Sequence, residues 1–307
     1  MWYAGEALAS PGASAAAQAP SETTGPPETE GAIMHFPEHW IHGSPEGALS
    51  TDPVFQVHAL DERTYALRQS KSSNYEGAFL YLLFGDRGAL LLDSGSKPNG
   101  GDHLPLRETI EEISTARGMP ELHLTVAHTH SHGDHLYGDR ALALRPNTTV
   151  IPPNLQSIQE AFNITRWPDG MGTFDLGDRR LLVLPTPGHE RTHVVFYDEA
   201  TGALFSGDML YAGLLVVGDF PAYRASAARL AAFARQHPVS YVLGSHIEMR
   251  RAPGELYPIG TTYQPEEHEL PLFARHIEEL HDVCEALGEG PREVVRADFI
   301  VHPERAK

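Results

Sequence analysis

From Val54 onward, hydrophobic and polar positions fall into short runs. PVFQVHAL, TYALRQS, AFLYLLFG and ALLLDSG are rich in branched and aromatic residues and are separated by turn signals such as Asp86-Arg87-Gly88. This is the mark of successive strands in an antiparallel meander. The period then changes: between Leu104 and Arg117, apolar residues recur at Leu106, Ile110 and Ile113. That helical spacing turns Glu111 and Glu112 outward. A strand follows to Ala127, then a helix over Leu136 to Leu144, a short strand TTVIP, and a helix capped by Asn154 that runs through Phe162. NITRWPDGMGTF reads as loop, and Arg180 to Pro185 as strand. HVVFYDEATGALFSGD reads as a hairpin turning at Glu199-Ala200-Thr201-Gly202. Ala222 to Gln236 is an Ala-rich amphipathic helix, SYVLGS the last strand, and Leu272 to Leu287 a closing helix.

One order occurs twice: strands, then a strand ending in a polar residue, then helices. It appears before Asp93 and His130, and again before Asp208 and His246. Two such halves face to face predict an α/β protein, an αββα four-layer sandwich of two mixed sheets with helices on the outer faces. Residues 51–307 form the expected catalytic domain. Ahead of it, Met1 to about Gly31 is rich in Ala, Ser, Pro and Thr without apolar period and reads as a disordered tail. The stretch up to residue 50 reads as an extended arm that packs Trp40 onto the domain. His35, His39 and His42 gather there, but among prolines and without a carboxylate ordered for metal binding.

Composition narrows the functional classes. The single cysteine, Cys284, excludes intramolecular disulfides and tetrathiolate sites, and reads as a small buried hydrophobe. A formal net charge of -18 argues against a nucleic-acid partner, since phosphate backbones are bound by clustered Lys and Arg. No apolar run approaches the ~20 residues that cross a bilayer. The absence of Lys or Arg before Arg63 is the wrong chemistry for a secretory or transit segment. The expectation is a cytoplasmic protein acting on a small molecule, with no membrane partner. An exported form is left open should the start be truncated or misassigned, and a homodimer is left open as well.

The chemistry concentrates in LTVAHTHSHGDHLYG, Leu124 to Gly138. An apolar strand ends at Ala127, and His130, His132, Asp134 and His135 follow within six residues. His130 and His132, two apart in extended backbone, point the same way. Gly133 is expected to let the chain turn so that Asp134 and His135 open a helix and face a second position. Imidazole and carboxylate together suit a divalent ion, zinc first, with iron or manganese as alternatives. Farther along stand His189 after Pro-Gly, Asp208 after Ser-Gly, and His246, each at a strand end or in the loop beyond it.

These seven residues in this order resemble the signature of the metallo-β-lactamase fold hydrolase superfamily, His-x-His-x-Asp-His followed by a distant His, Asp and His. The resemblance covers roughly residues 52 to 265. It implies two divalent metal ions. His130, His132 and His189 would bind the first, Asp134, His135 and His246 the second, and Asp208 would bridge them. It also implies an acidic residue backing the site at the end of the fourth strand, which is Asp93 here. Two cations close together require an anion between them, and metal coordination lowers the pKa of bound water toward ~7.

The resemblance implies a hydrolase in which a metal-bridging hydroxide attacks the carbonyl of an ester, lactone or thioester. Catalytic roles then fall on Asp134, Asp208 and Tyr211. Tyr211, three residues after Asp208, matches a tyrosine that sits over the substrate carbonyl in lactonases of the superfamily. The metal motif is similar to that of the glyoxalase II group, although only Arg250 and Arg251 follow His246 as candidates for holding glutathione carboxylates. Two alternatives stay open. One is a mononuclear-iron persulfide dioxygenase-type oxidoreductase using His130, His189 and Asp208; the other is β-lactam hydrolysis as a side activity. Specificity is expected in the loops Ser96 to His103, Asn163 to Phe174, Met209 to Phe220 and Glu248 to Glu267, with Trp167, Phe220, Tyr223 and Tyr263 as candidate apolar walls.

Overall fold

The structure, a computed structural model, describes residues 33–47, 50–101 and 103–304. The expected tail, apart from the start of the arm, lies outside the described residues. The first half runs β1 (Phe55–Ala59), β2 (Thr64–Gln69), β3 (Phe79–Gly85), β4 (Gly88–Leu92), α1 (Leu106–Ala116), β5 (Leu124–Ala127), α2 (Asp139–Leu142) and β6 (Thr148–Val150). These strands make one six-stranded sheet in sequence order. It is antiparallel from β1 to β4 and parallel from β4 to β6.

The second half runs α3 (Leu155–Phe162), β7 (Gly172–Asp175), β8 (Arg180–Pro185), β9 (Val194–Asp198), β10 (Ala203–Gly207), β11 (Leu214–Val217), α4 (Phe220–Ala234), β12 (Tyr241–Gly244), β13 (Pro271–Leu272), α5 (Ala274–Leu287), β14 (Val294–Val295) and β15 (Ile300–Pro303). Its main sheet has the order β13-β12-β10-β9-β8-β7, with β10 and β12 parallel. A small third sheet, β11-β15-β14, stands apart.

Alternation explains the layers. Phe79, Tyr81 and Leu83 of β3 face the second sheet, where they join Leu181, Val183, Phe196 and Phe205 in a shared core. The intervening Leu80, Leu82 and Phe84 face the opposite way and pack on Leu106, Ile110 and Ile113 of α1. On the far side, Leu182, Val195, Leu204 and Val242 pack under α4 and α5. A sheet covered on both faces needs apolar residues at every position, so the strands read as continuous hydrophobic runs. Each buried Leu or Phe in these layers contributes about 1.5–3 kcal/mol. The result is the expected αββα sandwich.

Local sequence sets several boundaries. The Asn154 side chain accepts from the Ser157 N–H at 3.0 Å and starts α3, while Asn163 ends it at φ 58°. Asp219 caps α4 in the same way through Ala222 N–H, two residues earlier than the periodicity placed the start.

Other expectations are corrected. The helix anticipated from Leu136 to Leu144 contracts to α2, and α5 begins at Ala274 because Pro271–Leu272 pair with β12 as β13. The loop expected over Asn163 to Phe174 ends inside β7, the one over Met209 to Phe220 contains β11, and three strands follow SYVLGS. In the arm, Trp40 is buried with its ring 5.0 Å from Phe79. The His42 ring lies tilted 5.8 Å from that of Tyr263, and His35 bonds through its backbone, N–H to Leu60 O at 2.7 Å and carbonyl to the His58 ring at 3.0 Å.

Candidate metal centre

Strand ends supply the site. Asp93 follows β4, His130 lies just past β5, Asp208 follows β10 and His246 lies just past β12, so two parallel strand pairs deliver four side chains to one rim. Backbone bonds from Val194 N–H to Thr129 O and from Phe79 N–H to Ser245 O, both 2.8 Å, tie the two sheets together there. Two glycines are required by close approach. A Cβ on Gly188 (φ +142°) would meet the Tyr223 backbone at 2.3 Å. A Cβ on Gly207 (φ +52°) would lie 2.6 Å from Thr129 Cβ. Gly133 is different: it opens a 3-10 turn, Gly133–His135, in open space without positive φ, so the turn does not depend on glycine there.

The seven expected ligands come together. His130 Nε2, His132 Nδ1 and His189 Nε2 converge at 2.9 to 3.2 Å from one another. Asp134 Oδ2 lies 3.3 Å from His135 Nε2 and 3.4 Å from His246 Nε2. Asp208 stands between the triads and divides its oxygens. Oδ2 is 3.5 Å from His189 Nε2 and 3.9 Å from His130 Nε2. Oδ1 is 3.5 Å from His246 Nε2 and 3.7 Å from His135 Nε2. All seven fall within the three groups of His and Asp residues that could hold an ion among the described residues.

Hydrogen bonds behind the rings fix which nitrogens face inward. His189 Nδ1 donates to Val216 O at 2.7 Å, His135 Nδ1 to Asp93 Oδ2 at 2.9 Å, and His246 Nδ1 to Glu76 O at 3.1 Å. The opposite nitrogen of each ring is thus aimed at the centre, the arrangement that outer partners impose on metal-ligating imidazoles. His135 Nε2 and Asp208 Oδ1 are buried there without a hydrogen-bond partner. Leaving such atoms unsatisfied costs about 1–3 kcal/mol each, and a cation between them would remove that cost. The donor set therefore fits divalent metal.

Electrostatics separate the two triads. Burial, aided by neighbouring imidazoles, holds the pKa of His130 well below the usual histidine range, and His132 is lowered for the same reasons. Burial also opposes charge on His135, but Asp93, Asp134 and Asp208 outweigh it and raise that pKa well above the range. His246 is pushed up to about 9, with Asp208, Asp134 and Glu76 overcoming its burial. Burial would raise Asp134 and Asp208, yet their histidine neighbours pull both far below the carboxylate range.

Asp93 is buried at φ 64° and takes Thr129 N–H at 2.8 Å on Oδ1, with Thr129 Oγ1 at 3.0 Å and His135 Nδ1 on Oδ2. Tyr211 does not stand ready as an oxyanion donor. Its hydroxyl gives its one proton to Leu214 O at 2.7 Å and lies 3.2 Å from Glu248 Oε2, while its ring packs 5.5 Å from that of His246. Phe220 and Tyr223, expected as pocket walls, are core residues.

Sequence reading missed His193. It is buried, accepts Asp208 N–H on Nε2 at 3.2 Å, bonds Thr186 Oγ1 at 2.8 Å and stacks on His130 at 5.2 Å. Its place four residues after His189 was the available signal.

A layered sandwich with a His and Asp metal site on its rim is the arrangement of a metal-dependent hydrolase. Residues 76–246, more than half of the chain, match the Metallo-beta-lactamase superfamily, and the chain belongs to it. Among curated relatives, the hydroxyacylglutathione hydrolase of Gloeothece citriformis (strain PCC 7424) is 34% identical over 105 residues, 29% of this chain and 37% of that protein. The hydroxyacylglutathione hydrolase of Methylococcus capsulatus is 33% identical over 128 residues, 40% of this chain and 47% of its own length. The chain thus spans less than half the length of these relatives, a distant homology. Two solved structures share the fold. A metallo-beta-lactamase from Pontibacter korlensis has TM-score 0.51 and 20% identity, covering 75% of this chain and 99% of that one. One from Erythrobacter litoralis has TM-score 0.53 and 20% identity, covering 78% and 99%.

Proposed function

We propose that the protein is a binuclear hydrolase of ester, lactone or thioester bonds in small, uncharged acyl substrates. The observation that carries this reading is Asp208, whose two oxygens are divided between two separate triads. One ion would be held by His130, His132 and His189, the other by Asp134, His135 and His246, with Asp208 shared; zinc suits this set, as would iron or manganese. Such ions supply Lewis acidity toward a carbonyl and water activated near neutral pH. The chain's own residues hold that chemistry in place. Val216 O, Asp93 and Glu76 O orient the rings, and Asp134 stays ionised as an anionic ligand rather than serving as a proton store. A single-iron site would use only one side of Asp208, so this division favours hydrolysis over the dioxygenase alternative.

The preference for uncharged acyl groups follows from the cations after His246. Arg250 pairs with Glu266 at 2.9 Å and lies over Tyr257, and Arg251 pairs with Glu269 at 3.5 Å. Neither is held in reserve for the carboxylates of glutathione.

The test is a panel of aryl esters, lactones, glutathione thioesters, neutral thioesters and cephalosporins, with zinc-loaded wild type and Asp208→Ala. Turnover is expected on uncharged esters, lactones or thioesters, with about two metal equivalents bound. Loss of the shared carboxylate should remove several kcal/mol of stabilisation, on the order of a thousandfold in kcat. A variant as fast as wild type would sink the binuclear mechanism, and turnover confined to glutathione thioesters would sink the uncharged-substrate reading.

A further inference from the structure

Between β2 and β3 the chain makes a compact strap, residues 70–78, closed by Gln69 N–H to Ala78 O at 2.9 Å. It encloses Lys71, which is 1% exposed. Its ammonium donates to the carbonyls of Tyr75 at 3.1 Å and Glu76 at 3.5 Å, and no carboxylate lies within ion-pair distance of it among the described residues. The lysine stem lies against Gly77, where φ is +53° and a Cβ would come within 2.6 Å of Lys71 Cγ. Asn74 braces the strap from outside, accepting Glu76 N–H at 2.8 Å and donating to Lys97 O at 2.8 Å.

Burying a lysine is costly unless its charge is used. Here desolvation, with Arg68 beside it, lowers the Lys71 pKa to about 8. What the ammonium holds is informative. The Glu76 carbonyl that it contacts also accepts the Nδ1 proton of His246.

We propose that Lys71 is a positioning residue for the second metal position, pinning the Tyr75 and Glu76 carbonyls inward so that Glu76 O holds His246 with Nε2 toward Asp134 and Asp208. The inference rests on the reading of His246 as a metal ligand. The first position has no such device. His189 is held by Val216 O, which belongs to β11 and is kept in place by its ladder with β15. Loss of Lys71 should therefore act on one ion and spare the other.

The experiment titrates metal-free full-length protein with zinc against a chromophoric chelator, comparing wild type, Lys71→Met and Asn74→Ala. Lys71→Met keeps the stem and removes the charge. Its first equivalent should bind as in wild type and its second about 10–100-fold more weakly, the usual effect of losing an outer partner of a metal-bound imidazole. Asn74→Ala loosens the same strap from its solvent side and should weaken the second equivalent in the same direction; it carries the test if Lys71→Met does not fold. Equal weakening of both equivalents, or wild-type binding of both in a folded variant, overturns the proposal. Uptake of a single equivalent by wild type overturns the two-ion reading instead, and that outcome is visible before any variant is made.

Discussion

Behind the triad of His130, His132 and His189 stand the Thr129 hydroxyl, the Val216 carbonyl and the ring of His193, whose pKa burial holds well below the usual histidine range. Behind Asp134, His135 and His246 stand the buried carboxylate of Asp93 and the carbonyl of Glu76. In the first triad, burial holds the pKa of His130 well below the usual histidine range and lowers that of His132. In the second, the carboxylates of Asp93, Asp134 and Asp208 outweigh burial and raise His135 well above that range, and Asp208, Asp134 and Glu76 push His246 up to about 9. Nearly identical side chains are thus set apart by the carboxylates around them, Asp134 and Asp208 beside the rings and Asp93 behind His135. Metal binding at the second position therefore has to displace protons that its anionic surroundings favour on His135 and His246.

The largest test of this contrast is Asp93→Ala. It strips the carboxylate from His135 and from Thr129 N–H, so second-site zinc affinity should fall about 10–100-fold. Stability should fall by about 1–3 kcal/mol for each of the two N–H donors left unpaired, with backbone strain at φ 64° added. Competitive zinc titration and thermal melting read the two effects, and equal loss at both sites would erase the distinction between the triads.

Next comes pH. In metal-free protein the folded-state pKa of His246, about 9, lies above its ordinary value of 6.5. Its contribution to stability is therefore fully present below about pH 6.5 and lost as pH rises through about 9. Lys71 works in the opposite direction, because its folded pKa of about 8 is depressed from 10.5. The difference between wild type and His246→Gln isolates the histidine. That difference in melting temperature should be larger at pH 6.5 than at pH 9.5 after chelation, and no change with pH contradicts the assignment.

A smaller effect is expected for Tyr211→Phe. With its proton committed to Leu214 O, the hydroxyl should matter by no more than a few-fold in kcat, where loss of a true oxyanion donor costs about 10²–10³. Smallest at the site is Asn154→Ala, which removes the cap of α3 for about 1 kcal/mol. Its melting temperature should drop while both zinc affinities stay put, which shows that lost stability alone does not mimic the loss of Lys71 or Asp93.

The layers were legible because the strands are short continuous apolar runs, and the rim because imidazoles and carboxylates stand at their ends in the order that the family resemblance groups into two positions. What escaped reading has no such signature. The carbonyls of Glu76 and Val216 orient two of the rings, yet any residue could supply a carbonyl. Leu214-Leu215-Val216-Val217 is apolar enough for a strand, but its partner β15 lies at the far end of the chain, and a four-residue run shows no pairing by itself. Tyr211 was placed by its offset from Asp208, and an offset does not say which way a hydroxyl points.

Asp93 sits at φ 64°, in the left-handed region, where aspartate and asparagine are tolerated and most side chains are not. Backbone shape and ionic character are therefore both demanded of one residue. Asparagine meets the first demand without the second, so Asp93→Asn separates them: it keeps the backbone shape and one acceptor for Thr129 N–H, but removes the charge and turns an amide N–H toward the His135 Nδ1 donor. It offers a route to tuning how tightly the second ion is held while the left-handed turn at residue 93 is kept.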